Sequence, residues 1–318
     1  MHKVAFVFPG QGSQHIGMGR ALCESYPYVR ELFAKADAAL GYSIAKLCFD
    51  GPDTELVRTE NTQPALLSCA VAAAEVLKRE LGLLPSLTAG HSLGEYAALV
   101  VAESLDFTDA VRLVHLRGRF MQAAVPEGLG AMAALVGLTS VDVTALCAEA
   151  STASERAQIA NDNGAGQLVI SGHKPAVERA MALAKAKGCK LVKALPVSAP
   201  FHSTLMEPAA AQLAAELARV AVSVPRIPVV ANIDAEPYPH GDRDAVRDRL
   251  VRQVSGTVRW EGCVQRLVSL GATAIIEVGP GKVLQGLVKR IAPTVALGGF
   301  ADPSGLAAIA ALSSSSTH

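Results

Sequence analysis

The chain has 318 residues, 50% of them hydrophobic, enough to bury a large core in one domain, or in one domain carrying a smaller insert. Lys plus Arg and Asp plus Glu both number 29, so the formal charge is zero, which argues against nucleic acid or an anionic membrane as the main partner. The six cysteines are scattered without a C-x-x-C pair, signalling neither a zinc site nor a disulfide scaffold, and no apolar run reaches the roughly 18 residues of a membrane span.

The chain opens without a cationic leader and an apolar signal-length run, so a cytosolic, reducing location is expected. Lys3 to Phe8 reads as a buried strand closed by Pro9-Gly10. Helical patterns follow over residues 17–40 and 63–81, then a short strand before Gly90, then helices over 95–102 and 107–124. Between Gly130 and Leu195 the order becomes strand (131–136), helix (141–150), strand (158–161), strand (167–171), helix (175–187), strand (190–195), which is the β-α-β-β-α-β pattern of a ferredoxin-like unit. The α/β pattern resumes with a helix over 205–220, a strand over 228–231, helices over 244–254 and 261–270, and a strand over 273–278.

The expectation is therefore an α/β fold: a discontinuous large domain over residues 1–127 and 197–300, a ferredoxin-like insert over 128–196, and a tail over 301–318 whose final "SSSSTH" is polar and expected to fray. The active site belongs in the cleft between the two parts.

Two glycine-rich stretches invite nucleotide readings and fail them. "FPGQGSQHIG" has His15 where the third glycine of a dinucleotide fingerprint stands, and "EVGPGKVL" lacks the spacer and hydroxyl of a phosphate loop, so it reads as a strand-turn-helix corner. "AGHSLGEYAAL" is different: Gly90 and Gly94 flank Ser92 in the spacing of a nucleophile elbow, where small neighbours let a hydroxyl stand clear of a strand-to-helix turn. There the N–H of Leu93 and the helix dipole face an attacking oxygen. The same pentapeptide also suits a serine N-cap over a glycine turn, so it leaves both readings open.

A serine nucleophile needs a base. His91 adjoins Ser92 in sequence, but neighbours in a tight turn point apart. His202, in "PVSAPFHSTLMEP", lies where the chain returns from the insert across the cleft. Arg117 sits among apolar positions in "AVRLVHLRGRFMQ". Such a residue either snorkels to solvent or stays buried to meet a substrate carboxylate.

Taken together, "FPGQGSQ", "NTQPALL", "GHSLGEYAAL", "LRGRFMQ", "PFHSTLM" and "EVGPGKVL" resemble the malonyl-CoA:acyl carrier protein transacylases of fatty acid synthesis and the related acyltransferases of polyketide synthases, from Val4 to about Arg290. The resemblance implies an α/β-hydrolase-like large domain with a ferredoxin-like insert. It implies Ser92 as nucleophile, His202 as base, the N–H groups of Leu93 and Gln11 as oxyanion hole, and Arg117 as the site of the malonyl carboxylate. No aspartate completes a triad in that family; a backbone carbonyl, here assigned to Gln253, orients the histidine. Asn161 and Asn163, within a local sequence that departs from the family pattern, are implied to line the cleft, as are Gln63 and Phe201. A phenylalanine before the histidine is associated with malonyl rather than methylmalonyl.

Malonyl-CoA and the phosphopantetheine thiol of acyl carrier protein are the implied substrates, with no metal or other cofactor, no nucleic-acid or membrane partner, and a monomer. Two rivals remain at this point: a serine hydrolase using water as acceptor, and a noncatalytic module that keeps the fold.

Overall fold

The computed structural model describes residues 3–197 and 199–314. Strand β1 (Lys3–Phe8) is followed by α1 (Arg20–Ser25), α2 (Pro27–Leu40), α3 (Ile44–Asp50), α4 (Asp53–Leu56) and α5 (Thr59–Leu81) before the chain returns as β2 (Leu87–Gly90). The single helix expected over 17–40 is in fact two. Pro27 has no N–H to continue a helix and excludes the helical region for its predecessor, so Tyr26 is extended at φ −127° and ψ 115°. The same chemistry is handled differently in α5, which begins at Thr59 rather than at the predicted Gln63. Pro64 deprives the Glu60 carbonyl of its helical donor, and the Nδ1 of His115 meets that carbonyl at 3.0 Å instead.

Next come α6 (Gly94–Val101) and α7 (Phe107–Ala123), then the expected alternation β3 (Gly130–Val136), α8 (Ser140–Ala150), β4 (Ala157–Asp162), β5 (Gln167–His173), α9 (Lys174–Ala186) and β6 (Leu191–Ala194). A 3-10 turn over Thr204–Met206 leads into α10 (Glu207–Leu217), which is shorter than the helix read from sequence. The chain continues through β7 (Val229–Val230), α11 (Asp244–Ser255), β8 (Val258–Arg259), α12 (Trp260–Ser269), β9 (Ala272–Val278), α13 (Val283–Ile291), β10 (Ala296–Phe300) and α14 (Leu306–Ser314).

Residues after 300 correct the tail reading. An apolar helix packs there, with Ile309 buried in the main core. Of the polar end, residues 315–318 lie outside the described residues.

Among the described residues the strands form two sheets. The first, in the order β10-β9-β1-β2-β7, is parallel throughout, with helices covering both faces as a parallel sheet requires. Alternation along β1 divides its side chains: Val4, Phe6 and Phe8 enter the core beneath α5 and α6, while Ala5 and Val7 enter the smaller core beneath α12 and α13. The second sheet runs β6-β3-β5-β4 in antiparallel pairs, the ferredoxin-like arrangement, and the two-residue β8 extends it by pairing parallel to β4. The fold is thus the hydrolase-like α/β body with a ferredoxin-like insert, and β8 stitches the body to the insert beside the cleft.

The turn from β2 into α6 is where chain packing is tightest. A Cβ on Gly90 would stand 1.9 Å from the carbonyl carbon of Gly94, and one on Gly94 would stand 2.2 Å from the carbonyl oxygen of Phe8 at the end of β1. Both glycines are required by backbone, which cannot swing aside as a side chain can. Gly94→Ala is therefore expected to lower stability by more than about 3 kcal/mol, or to prevent soluble expression, when assayed by urea denaturation; a variant within about 0.5 kcal/mol of the parent would contradict this packing.

Candidate active site

Ser92 occupies the apex of that turn with φ 52°, in the left-handed region that residues other than glycine rarely adopt. Three contacts hold it there. Its N–H donates to Asn232 Oδ1 at 2.7 Å, Asn232 Nδ2 donates to the Gly90 carbonyl at 2.7 Å, and Gln253 Nε2 donates to the Ser92 carbonyl at 2.9 Å. Asn232 thus bridges the two sides of the turn as a backbone strand would.

His202 reaches the same point from the opposite wall. It too has a left-handed backbone, φ 55°, and its Nε2 lies 2.7 Å from Ser92 Oγ. Its Nδ1 lies 2.8 Å from the Gln253 carbonyl. A carbonyl only accepts, so Nδ1 carries the proton and Nε2 is left free to accept from the hydroxyl. Burial, then the Arg117 charge, lowers the His202 pKa to about 3, keeping the ring neutral. The insert helps to seat this loop: Gln158 on β4 donates to the His202 carbonyl at 3.2 Å and accepts from the Thr204 N–H at 3.1 Å.

Arg117 is buried on α7, which approaches α5 closely because Gly118 bears no Cβ; one built there would stand 2.6 Å from the Glu60 Cα. Its Nη1 donates to Gln63 Oε1 at 2.7 Å, and its Nη2 donates to Gln253 Oε1 at 3.0 Å and to Ser92 Oγ at 3.1 Å. All three acceptors are neutral. Nε is buried without an acceptor among the described residues, and burial pulls the guanidinium's pKa below its usual value. The snorkelling alternative is thereby excluded.

The remaining expected residues divide by location. Gln63 touches Arg117 and also donates from Nε2 to Thr59 Oγ1 at 3.0 Å, which in turn donates to Gln11 Oε1 at 3.0 Å. Gln11 follows β1, where a Cβ on Gly10 would meet the His91 carbonyl at 2.6 Å, so this loop lies directly against the serine turn. Leu93 is the N-cap of α6. Asn163 holds His91, Oδ1 to Nε2 at 2.9 Å, and the His91 ring packs tilted against Trp260 with centroids 5.6 Å apart, so its ring is engaged with Asn163 and Trp260 rather than with the Ser92 hydroxyl. Asn161, Asn163, Phe201, Gln63, Met121 and Met132 line a cleft of about 230 Å³ that opens onto Ser92, His202 and Arg117.

Sequence reading missed Asn232, Glu95 and Tyr238. Glu95 is wholly buried behind Ser92; Oε2 accepts from the Asn232 N–H at 3.0 Å and from Gln253 Nε2 at 2.8 Å, and Oε1 accepts from the Tyr238 hydroxyl. The one available signal was an acidic residue inside the apolar run "GEYAALVV".

A hydroxyl on a strained turn, a neutral imidazole against it and a helix N-terminus beside it are the components of covalent acyl transfer, and the buried cation next to them is a group with which an anionic acyl chain can pair. The chain belongs to the acyl transferase domain family, whose pattern matches residues 5–296. It is 50% identical over 308 residues to the malonyl CoA-acyl carrier protein transacylase of Escherichia coli (strain K12), covering 97% of this chain and 99% of that protein. It is 45% identical to the enzyme of the same name from Bacillus subtilis (strain 168), covering 92% and 91%. Among solved structures, an acyl carrier protein S-malonyltransferase from Vibrio cholerae superposes with a TM-score of 0.93 at 46% identity, covering 96% and 99%. A malonyl-transacylase in complex with its type II PKS acyl-carrier protein superposes with a TM-score of 0.93 at 44% identity, covering 98% and 99%.

The role of Asn232 is open to direct test. Asn232→Ala leaves the Ser92 N–H and the Gly90 carbonyl without their partner, and a loss of about 2–4 kcal/mol in urea-denaturation stability is expected, accompanied by a fall in Ser92 reactivity. Unchanged stability together with unchanged reactivity would exclude the bridge.

Proposed function

We propose that the protein transfers a malonyl group from malonyl-CoA to the phosphopantetheine thiol of acyl carrier protein, through a malonyl ester on Ser92, in fatty acid biosynthesis. The observation that carries this reading is Arg117: a buried guanidinium 3.1 Å from Ser92 Oγ, with only neutral acceptors around it. A buried cation without a carboxylate is poorly compensated, and the distal carboxylate of a malonyl thioester supplies what is lacking. The relatives' shared name, held across nearly the whole of both chains, supports the same substrate. A polyketide carrier is the alternative acceptor, favoured by the structural neighbour solved in complex with a type II PKS acyl-carrier protein.

The reaction runs in two halves. His202 Nε2 takes the Ser92 proton as Oγ attacks the thioester carbonyl, and the N–H groups of Leu93 and Gln11 face the developing oxyanion. Collapse expels the coenzyme A thiolate, which takes the proton from His202. The carrier thiol then gives its proton to His202, attacks the serine ester and leaves with the malonyl group, while Ser92 recovers its proton. Gln253 orients the imidazole with its carbonyl and Arg117 with its side chain. Asn161, Asn163 and Phe201 shape the channel for the acyl and pantetheine chains. This reading takes the enzyme to act as a monomer in the cytoplasm.

The ratio of kcat/KM for malonyl-CoA over acetyl-CoA, measured by mass spectrometry of the loaded carrier, tests the reading. Arg117→Ala is expected to lower that ratio about 10- to 150-fold, the equivalent of about 1.5–3 kcal/mol for a charge-assisted bond. An unchanged ratio would remove Arg117 from the acyl pocket, and release of free malonate that the carrier does not suppress would make the protein a hydrolase. With Phe201 in the cleft wall, malonyl-CoA is also expected to be used faster than methylmalonyl-CoA; equal rates for the two would contradict the steric assignment.

A further inference from the structure

Glu95 takes no part in the chemistry above, yet it lies one side chain from it. Gln253 bridges the gap: its Oε1 accepts from Arg117 Nη2 at 3.0 Å, and its Nε2 donates to Glu95 Oε2 at 2.8 Å. A single amide thus joins the buried cation to a buried acid, each end satisfied in the sense its charge requires. We propose that Glu95 is the counter-charge of Arg117 in the unloaded enzyme, acting through Gln253, and that it takes up a proton from solvent when a substrate carboxylate becomes the partner of the guanidinium. The inference rests on the malonyl-transfer reading, because it needs an acyl carboxylate at Arg117.

The surroundings of Glu95 suit a group that changes charge. From the segment after β7 it faces the Asn232 N–H, the Tyr238 hydroxyl and the Asp234 carboxylate; from α7 the Arg117 cation; from its own helix Tyr96; and from α12 the Cys263 thiol. Arg249 on α11 pairs with Asp234 at 2.8 Å and lies 5.3 Å from the Tyr238 ring centroid, which mutes the Asp234 charge. Among the described residues, Arg117 is therefore the cation facing Glu95 that has no carboxylate in hydrogen-bond contact. Asn232 N and Gln253 Nε2 can only donate, so an added proton belongs on Oε1, where the Tyr238 hydroxyl can turn to accept it. Burial already pushes the Glu95 carboxyl up to about 7, so a second anion at Arg117 acts on an acid near its midpoint at neutral pH. In this role Glu95 is a positioning residue. Ionised, it holds Gln253 and Asn232 in place; protonated, it leaves the full charge of Arg117 to the substrate.

Proton uptake can be counted by titration calorimetry, with malonyl-CoA and acetyl-CoA added to Ser92→Ala protein at pH 7.5 in phosphate and in Tris, whose ionisation enthalpies differ. Malonyl-CoA is expected to take up on the order of half a proton more per site than acetyl-CoA. The excess should vanish when Glu95→Gln is added. Equal proton numbers for the two thioesters, or an excess that persists in Glu95→Gln, would overturn the inference. Should Glu95→Gln fail to fold, the excess in Ser92→Ala alone must fade by pH 5, where Glu95 is already protonated; a pH-independent excess would equally overturn it. The intact mass of wild-type protein after malonyl-CoA separates the two levels. An adduct on Ser92 with no excess uptake sinks the Glu95 assignment alone, while absence of the adduct sinks the transfer reading and this inference with it.

Discussion

The 2.7 Å contact between Ser92 Oγ and His202 Nε2 joins two residues that each sit in a left-handed backbone conformation, and most of the fold exists to hold that pair. Neither conformation is favourable in isolation, so the surroundings must over-determine both. On the serine side this is done by two Cβ-free contacts, Gly90 against Gly94 and Gly94 against the end of β1, and by the Asn232 bridge. On the histidine side, Gln158 from the insert grips the loop and the Gln253 carbonyl fixes the ring. Insert and body therefore contribute one wall each, and the insert's paired strands double as a support for the base.

Gln253 is the joint at which the polar parts meet. Its carbonyl sets the tautomer of His202, and its amide touches Arg117, Glu95 and the Ser92 carbonyl at once. Such networks are stable only when each member finds its partner, and these side chains are buried and mutually satisfied apart from Arg117 Nε, which has no acceptor among the described residues. Two buried groups give stability opposite slopes with pH. His202, lowered to about 3 from an unfolded value near 6.5, withdraws its contribution as pH falls through that interval. Glu95, raised to about 7, withdraws its contribution as pH rises from its unfolded value near 4.5 through 7. Between the two unfolded values, about pH 4.5 to 6.5, the two slopes oppose each other, and above about pH 7 neither group contributes one.

The serine turn, its glycines and the ferredoxin-like insert were legible because each rests on local spacing: two glycines around a hydroxyl, or strands and helices alternating with short loops. Arg117 and His202 were legible as candidates, since a cation in an apolar helix and a histidine at a return across the cleft are anomalies that ask for a partner. Asn232 and Tyr238 left no such mark, because an asparagine after a short strand and a tyrosine in a loop are ordinary until folding brings them to Gly90 and Glu95. Likewise β8 is only two residues long and exists because β4 offers an edge, which no periodicity encodes. The apolar pattern over 17–40 runs unbroken across Pro27, whose ring nevertheless ends one helix and starts the next. The packed helix after residue 300 was obscured by its polar end.

The account stands or falls on a neutral imidazole meeting the serine hydroxyl. The most direct measurement is the pH dependence of the second-order rate constant for acylation of Ser92 by malonyl-CoA, followed by rapid quench and intact mass between pH 5.5 and 8. With His202 held neutral down to about 3, the rate constant should not drop toward low pH: its value at pH 5.5 should be no lower than about half that at pH 7.5, a modest rise being what proton uptake at Glu95 gives. A roughly tenfold fall over that range, tracking an ordinary imidazole near 6.5, would contradict it.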